Sequence, residues 1–247
     1  MWTPENLTLI GLTFFFAGLV KGVIGLGMPT VSLALLTTGF GLVPAMGLLL
    51  VPAFVTNVWQ GLTGGAFVEI LRRLSSFLIA VCLGAWAGVA VLAEVDARPL
   101  SALLGVLLCL YAGVSLSHPQ IRAPGKHEPW MSPLIGAAAG ALTGMTGSFV
   151  VPGVLYLQAL RLPRETMIQA MGLAFTVSTA ALAVSLGRYN LITTEVAGVS
   201  ALAVLPALLG MVAGRAVRQR LSEAMFRKVF FLALFGLGLF IVIKALF

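Results

Sequence analysis

Charge is what this chain has least of. Only 9% of its 247 residues are Asp, Glu, Lys or Arg, while 60% are apolar and the mean hydropathy is +1.07. That leaves too little polar surface to coat a soluble globule of this length, so the chain belongs in lipid. The two cysteines, Cys82 and Cys109, lie in apolar runs and form no C-x-x-C pair, which argues against a thiol relay or a metal centre. Both histidines, His118 and His127, fall in one polar stretch, and no apolar run holds an aspartate. A hydrolase buried in the membrane would therefore lack both a base and an aspartyl pair, and no enzyme activity or cofactor is expected. The eight acidic residues, Glu5, Glu69, Glu94, Asp96, Glu128, Glu165, Glu195 and Glu223, sit at or near the ends of apolar runs. Their absence from the middle argues against a cation carrier. The formal charge of +7 resides mostly in short loops, where lipid topology explains it without nucleic acid.

What the chain does have is an internal echo. Ala17-Gly18, Gly22 and Gly25 answer Ala139-Gly140, Gly144 and Gly147 at an offset of 122 residues. Ala45-Met46-Gly47-Leu48 answers Ala170-Met171-Gly172-Leu173 at 125, and Gly84-x-x-x-Gly88 answers Gly210-x-x-x-Gly214 at 126. The chain thus reads as a first transmembrane repeat, 1–117, a linker, 118–130, and a second repeat, 131–247. The linker holds three prolines, a glycine and both histidines, and reads as solvated. Duplicated halves with glycine-interrupted apolar segments at matching places are the pattern of a secondary transporter whose substrate site lies where the halves meet.

Eight apolar runs follow one another: 7–39, 43–62, 74–92, 100–116, 133–160, 166–186, 196–212 and 229–246. Six have about the twenty residues needed to cross a hydrocarbon core roughly 30 Å thick. The first run of each half is too long, and each contains clustered glycines followed by Pro29 or Pro152. Proline lacks a backbone donor and disfavours helix in the residue before it, so each long run is predicted to break and turn back as a hairpin of two shorter pieces. The fold class that follows is an all-α polytopic membrane protein of two inverted repeats, each a broken hairpin followed by three crossing helices.

The basic residues test that topology. With two hairpins, Arg72, Arg73, Arg122, Lys126, Arg161, Arg164, Arg215, Arg218, Arg220, Arg227 and Lys228 share one face, against Arg98, Arg188 and Lys244. With eight plain crossings the split is nearly even. The positive-inside rule prefers the hairpins, placing the basic loops in the cytoplasm and both termini outside a cell inner membrane.

The residues around the breaks resemble a known family. Gly18-x-x-x-Gly22-x-x-Gly25-x-Gly27-Met28-Pro29, its echo Gly140-x-x-x-Gly144-x-x-Gly147 before Val151-Pro152, and the Gly84/Gly88 and Gly210/Gly214 pairs are similar to the TauE/SafE family of membrane proteins. The resemblance extends over nearly the whole chain. It implies export of small sulfur-containing anions such as sulfite or organosulfonates, with protons as a coupling ion.

Elementary physics reaches part of this alone. The free amides at the start of a half-helix carry partial positive charge and favour an anion, and glycine leaves that backbone uncovered. The candidate substrate-binding residues are Lys21, Gly25, Gly27, Pro29, Thr30 and Asn57 of the first half, facing Gly144, Gly147, Ser148 and Thr176 of the second across a central site. Gly84, Gly88, Gly210 and Gly214 read instead as helix-packing residues. Lys21 admits two readings: a buried ammonium that attracts the anion, or a long side chain that snorkels to the interface. Two transport readings stay open as well, an alternating-access carrier and a passive anion channel. The expected partners are the small anion and the bilayer; the sequence does not decide the oligomeric state.

Overall fold

A computed structural model describes residues 2–117, 121–218 and 222–247; His118 and Arg220 lie outside the described residues. The chain is all-helical, with no strand among the described residues. Its helices are α1 (Pro4–Ile24), α2 (Met28–Phe40), α3 (Leu42–Leu62), α4 (Phe67–Glu94), α5 (Ala97–Ser117), α6 (Glu128–Thr146), α7 (Leu155–Ala159), α8 (Arg164–Arg188), α9 (Thr194–Leu202), α10 (Val204–Arg218) and α11 (Glu223–Leu246). Polar side chains set several starts. Thr3, Thr193 and Ser222 accept from the backbone N–H three residues on, at 3.3, 3.3 and 3.4 Å, and so cap α1, α9 and α11. Glu5, Glu69, Glu128, Glu165 and Glu195 occupy first turns, where a carboxylate meets the positive end of the helix dipole. The acidic residues thus stand at helix ends, as their positions in the sequence indicate.

Seven stretches among the described residues are long and apolar enough to cross a membrane. Six correspond to the six plain runs; the seventh is α1. Both long runs are broken, but into unequal pieces. The first divides into 21 residues of α1 and 13 of α2, and the second into 19 residues of α6 and a ten-residue helical stretch, Val150–Ala159. At about 1.5 Å per residue α1 alone is about 31 Å long, so its first piece is not short. Another difference is that the run 196–212 is interrupted. Ala203 stands between α9 and α10, because Pro206 has no N–H for the carbonyl of Leu202. Helix α6 opens at Glu128, inside the stretch read as linker, with Pro129 in its first turn.

The helices form two compact units, each drawing on both halves of the sequence. One contains the chain through Pro52, α5, and everything from Ile192 onward; the other contains Ala53–Asp96 and the chain from the linker through Leu191. The chain passes from one to the other inside α3, next to Pro52.

In the first unit α1 packs along α10, and α5 along α11. A Cβ placed on Gly18 or Gly22 would strike the carbonyl oxygens of Ala207 and Met211, and one on Gly210 or Gly214 those of Phe15 and Leu19. The second unit repeats the device between α4 and α6. There Gly84 and Gly88 meet the carbonyls of Ala137 and Ala141, and Gly140 and Gly144 meet those of Val81 and Ala85. In lipid, where apolar surface gains nothing by leaving the solvent, such close backbone approach is what holds helices together. The packing role read for Gly84, Gly88, Gly210 and Gly214 is therefore present in the fold, and each meets a helix of the opposite sequence half, Gly88 next to Gly144 and Gly214 next to Gly22.

Candidate functional site at the two helix breaks

Five of the predicted site residues lie together at the break of the first unit. Helix α1 stops because Gly25 takes a left-handed conformation (φ 80°) and its N–H turns back to the carbonyl of Lys21 at 2.8 Å. Gly27, also left-handed (φ 103°), then opens α2, with Pro29 in its first turn and no side chain capping it. An L-residue would be strained at both glycines, so the turn at this point is a consequence of sequence. Thr30 is buried in the first turn of α2. Lys21 sits in the last turn of α1 with only 4% of its surface exposed. That burial does not fit a side chain snorkelled to water. Removing an ammonium from water costs several kcal/mol unless other groups answer it.

The second unit holds a parallel construction. Gly147 (φ 75°) ends α6 and its N–H bonds to the carbonyl of Thr143 at 2.7 Å. The turn is stitched by hydroxyls. Thr146 Oγ1 accepts from the N–H of Ser148 at 3.2 Å and donates to Leu142 O at 2.6 Å, while Thr143 Oγ1 donates to Ala139 O at 2.7 Å. The chain then passes through Val150–Val154, where Val151 is extended (φ −122°, ψ 125°) and the Val154 N–H bonds to Phe149 O at 3.3 Å across one wide turn, before α7 begins. Phe149 is locked against this turn. Its ring lies over Gly153 and meets Phe77 edge-on at 6.1 Å and Phe175 at 5.3 Å. Between these anchored neighbours Ser148 is 2% exposed, and its Oγ has no hydrogen-bond partner. A buried hydroxyl without a partner costs about 1–3 kcal/mol.

The remaining predicted residues divide. Asn57 is buried in the part of α3 that belongs to the second unit. Thr176 lies on α8, and its hydroxyl donates to Gly172 O at 2.7 Å, the bond a helical threonine makes with its own backbone. Gly144 belongs to the contact between α6 and α4, as Gly22 belongs to that between α1 and α10. The structure therefore brings Lys21, Gly25, Gly27, Pro29 and Thr30 to one break and Gly147 with Ser148 to the other.

Gln169 and Ser200 are among the buried polar residues that escaped the sequence reading. Gln169 on α8 donates from Nε2 to Gly61 O at 3.0 Å and accepts the N–H of Ala66 at 3.0 Å, while Gln60 donates to Ile168 O at 2.9 Å. These amides tie α3 to α8 in the second unit and close the end of α3. In the first unit Ser200 donates to Leu48 O at 2.8 Å and accepts from Val51 N at 3.1 Å. Pro52 was the available signal: it cannot supply the N–H that Leu48 O expects, so a donor had to come from elsewhere.

A family model described as sulfite exporter TauE/SafE matches residues 10–241. The chain belongs to the TauE/SafE sulfite exporter family. No curated protein and no solved structure matches it. TauE/SafE is a family of transporters, and together with the apolar helices the match makes this a multi-pass membrane protein with a transport role.

Proposed function

We propose that this protein is a secondary transporter that exports small sulfur-containing anions, sulfite or organosulfonates, by alternating access with protons as the coupling ion. In this reading its two repeats are inverted, each broken run is a hairpin, the basic loops face the cytoplasm of an inner membrane, and both termini lie outside. The observation that carries the proposal is the pairing of bare helix breaks with buried, anion-compatible groups. Lys21 stands beside Gly25–Pro29 in one unit, and the unpartnered Ser148 hydroxyl beside Gly147 in the other. Backbone amides, one ammonium and hydroxyls can replace the water shell of an oxyanion, and no carboxylate stands at either break to repel it. Lys21, Gly25, Gly27, Pro29, Thr30, Asn57, Gly147 and Ser148 are the proposed contacts. Gly144 and Thr176 are proposed contacts too, Gly144 from the helix that packs on α4 and Thr176 from α8.

The test is labelled-sulfite counterflow in proteoliposomes with Lys21→Met and Ser148→Ala. A hydrogen bond to a charged group contributes about 1.5–3 kcal/mol, so Lys21→Met should raise half-saturation by about ten- to a hundredfold. Unchanged half-saturation in both variants would remove these residues from the site. Large single-channel currents without counterflow would favour a passive anion channel instead.

A further inference from the structure

We infer that the second unit seats one anionic phospholipid between α4 and α8, with its phosphate on Arg188 and one acyl chain in the groove that leads away from that residue. A cavity of about 470 Å³ lies between the two helices. Val177, Ala181, Val184 and Arg188 line it from α8 at steps of four, three and four residues, so they share one helical face. Cys82 and Trp86, one turn apart, line it from α4. Apart from Ser185 and Arg188 its walls are apolar, and no carboxylate is among its lining residues.

Length identifies what fits. From Val177 to Arg188 the groove follows α8 for about 17 Å, at about 1.5 Å per residue. A hydrocarbon core is roughly 30 Å thick, so this is the depth of one leaflet. The groove starts at the middle of the 25-residue α8 and stops at its last turn. An acyl chain ends at the midplane in the same way, whereas a crossing helix of a second copy would lie along the whole core.

Charge selects the lipid. Arg188 is exposed in the last turn of α8, and its Cζ lies 5.6 Å from the centroid of the Trp86 ring. That cation–π contact holds the guanidinium at the mouth of the groove and leaves the N–H donors at its edge for other partners. Among the described residues they make no hydrogen bond or ion pair. Arginine meets phosphate through two parallel N–H···O bonds, stronger than neutral ones. An acyl chain gains nothing by leaving other acyl chains, so it fills the groove by shape while the headgroup supplies the preference. A zwitterionic headgroup brings a second cation to a site that already has one, and a net-negative headgroup does not. None of the lining residues belongs to a helix break, so the inference stands apart from the transport reading.

Native mass spectrometry of the full chain in detergent, titrated with phosphatidylglycerol or phosphatidylcholine of the same acyl chains, reads the affinity for each lipid and the number of protein copies. The variants are Arg188→Gln, Ala181→Leu, which fills the groove, and Lys228→Gln, which removes an exposed cation of the first unit. The parent should bind one phosphatidylglycerol at least about tenfold more tightly than phosphatidylcholine. Arg188→Gln should weaken that site by about ten- to a hundredfold and abolish the preference. Ala181→Leu should weaken it with the guanidinium still in place, and Lys228→Gln should leave it unchanged. The assignment is overturned if the parent binds both lipids equally, if either Arg188→Gln or Ala181→Leu binds phosphatidylglycerol as the parent does, or if Lys228→Gln loses as much as Arg188→Gln. A dimer that Ala181→Leu dissociates would overturn it too, by giving the groove to a second copy. Arg188 is exposed, so its variant keeps the test decisive should Ala181→Leu fail to fold.

Discussion

The partnership of Pro52 and Ser200 makes a sharp test of how this fold tolerates proline inside a membrane helix. Pro52 lies within α3 and cannot donate to Leu48 O, four residues back. Ser200, fully buried on α9, supplies that donor at 2.8 Å and accepts the Val51 N–H at 3.1 Å. Ser200→Ala removes both bonds and leaves a buried carbonyl without a donor, a loss of about 1–3 kcal/mol by soluble-protein standards. Polar contacts between membrane helices average about 0.6 kcal/mol and reach about 1.7, so a loss of about 1–2 kcal/mol is the expectation. Pro52→Ala restores an N–H to the helix, and Leu48 O can then be satisfied within α3. In that background Ser200→Ala should cost less, with a coupling of about 0.5–1.5 kcal/mol. Reversible unfolding of the parent, both single variants and the double variant in mixed detergent micelles measures the cycle. Equal costs in the two backgrounds would refute the idea that the serine serves the proline.

Other consequences are as direct. Gly88→Leu should prevent stable folding, because its side chain would enter the backbone of α6 at Ala141, whereas Gly113→Ala, with nothing within 4 Å, should be tolerated; thermal unfolding separates them. Gly25→Ala should destabilise by about 1–2 kcal/mol although no atom crowds it, since the left-handed φ of 80° is the whole obstacle; Gly25→Asn should lose less in the same assay. At the polar start of α6, Arg73 bonds to both carboxylate oxygens of Glu128, Nε to Oε1 at 2.7 Å and Nη2 to Oε2 at 2.9 Å. That guanidinium holds the Glu128 carboxyl below its usual range. The contribution is therefore present above the unfolded carboxylate pKa of about 4.3 and is lost as pH falls through the lower folded value. Both groups are partly exposed, so Glu128→Gln should cost at most about 1 kcal/mol at neutral pH and almost nothing in acid, read as the difference in unfolding free energy.

Local sequence determined much of this molecule. Long apolar runs leave water, carboxylates gather at helix ends, and glycine next to proline breaks a helix wherever the chain is later placed. Those rules act within a few residues, so both breaks, at Gly25–Gly27 and after Gly147, were readable before any coordinates. The equal spacing of the glycine pairs announced close helix contacts for the same reason. Pairing is a different matter, because a small-residue stripe permits close approach without naming its partner. Only the tertiary structure decided that Gly18 and Gly22 face α10 while Gly140 and Gly144 face α4, so that each compact unit draws on both halves of the chain. Burial followed from those pairings. A lysine after an apolar run can reach either water or the interior, and it was packing that enclosed Lys21; likewise a helical hydroxyl is satisfied by its own backbone at Thr176 but left without a partner at Ser148, which follows the left-handed Gly147 and so stands off the helix.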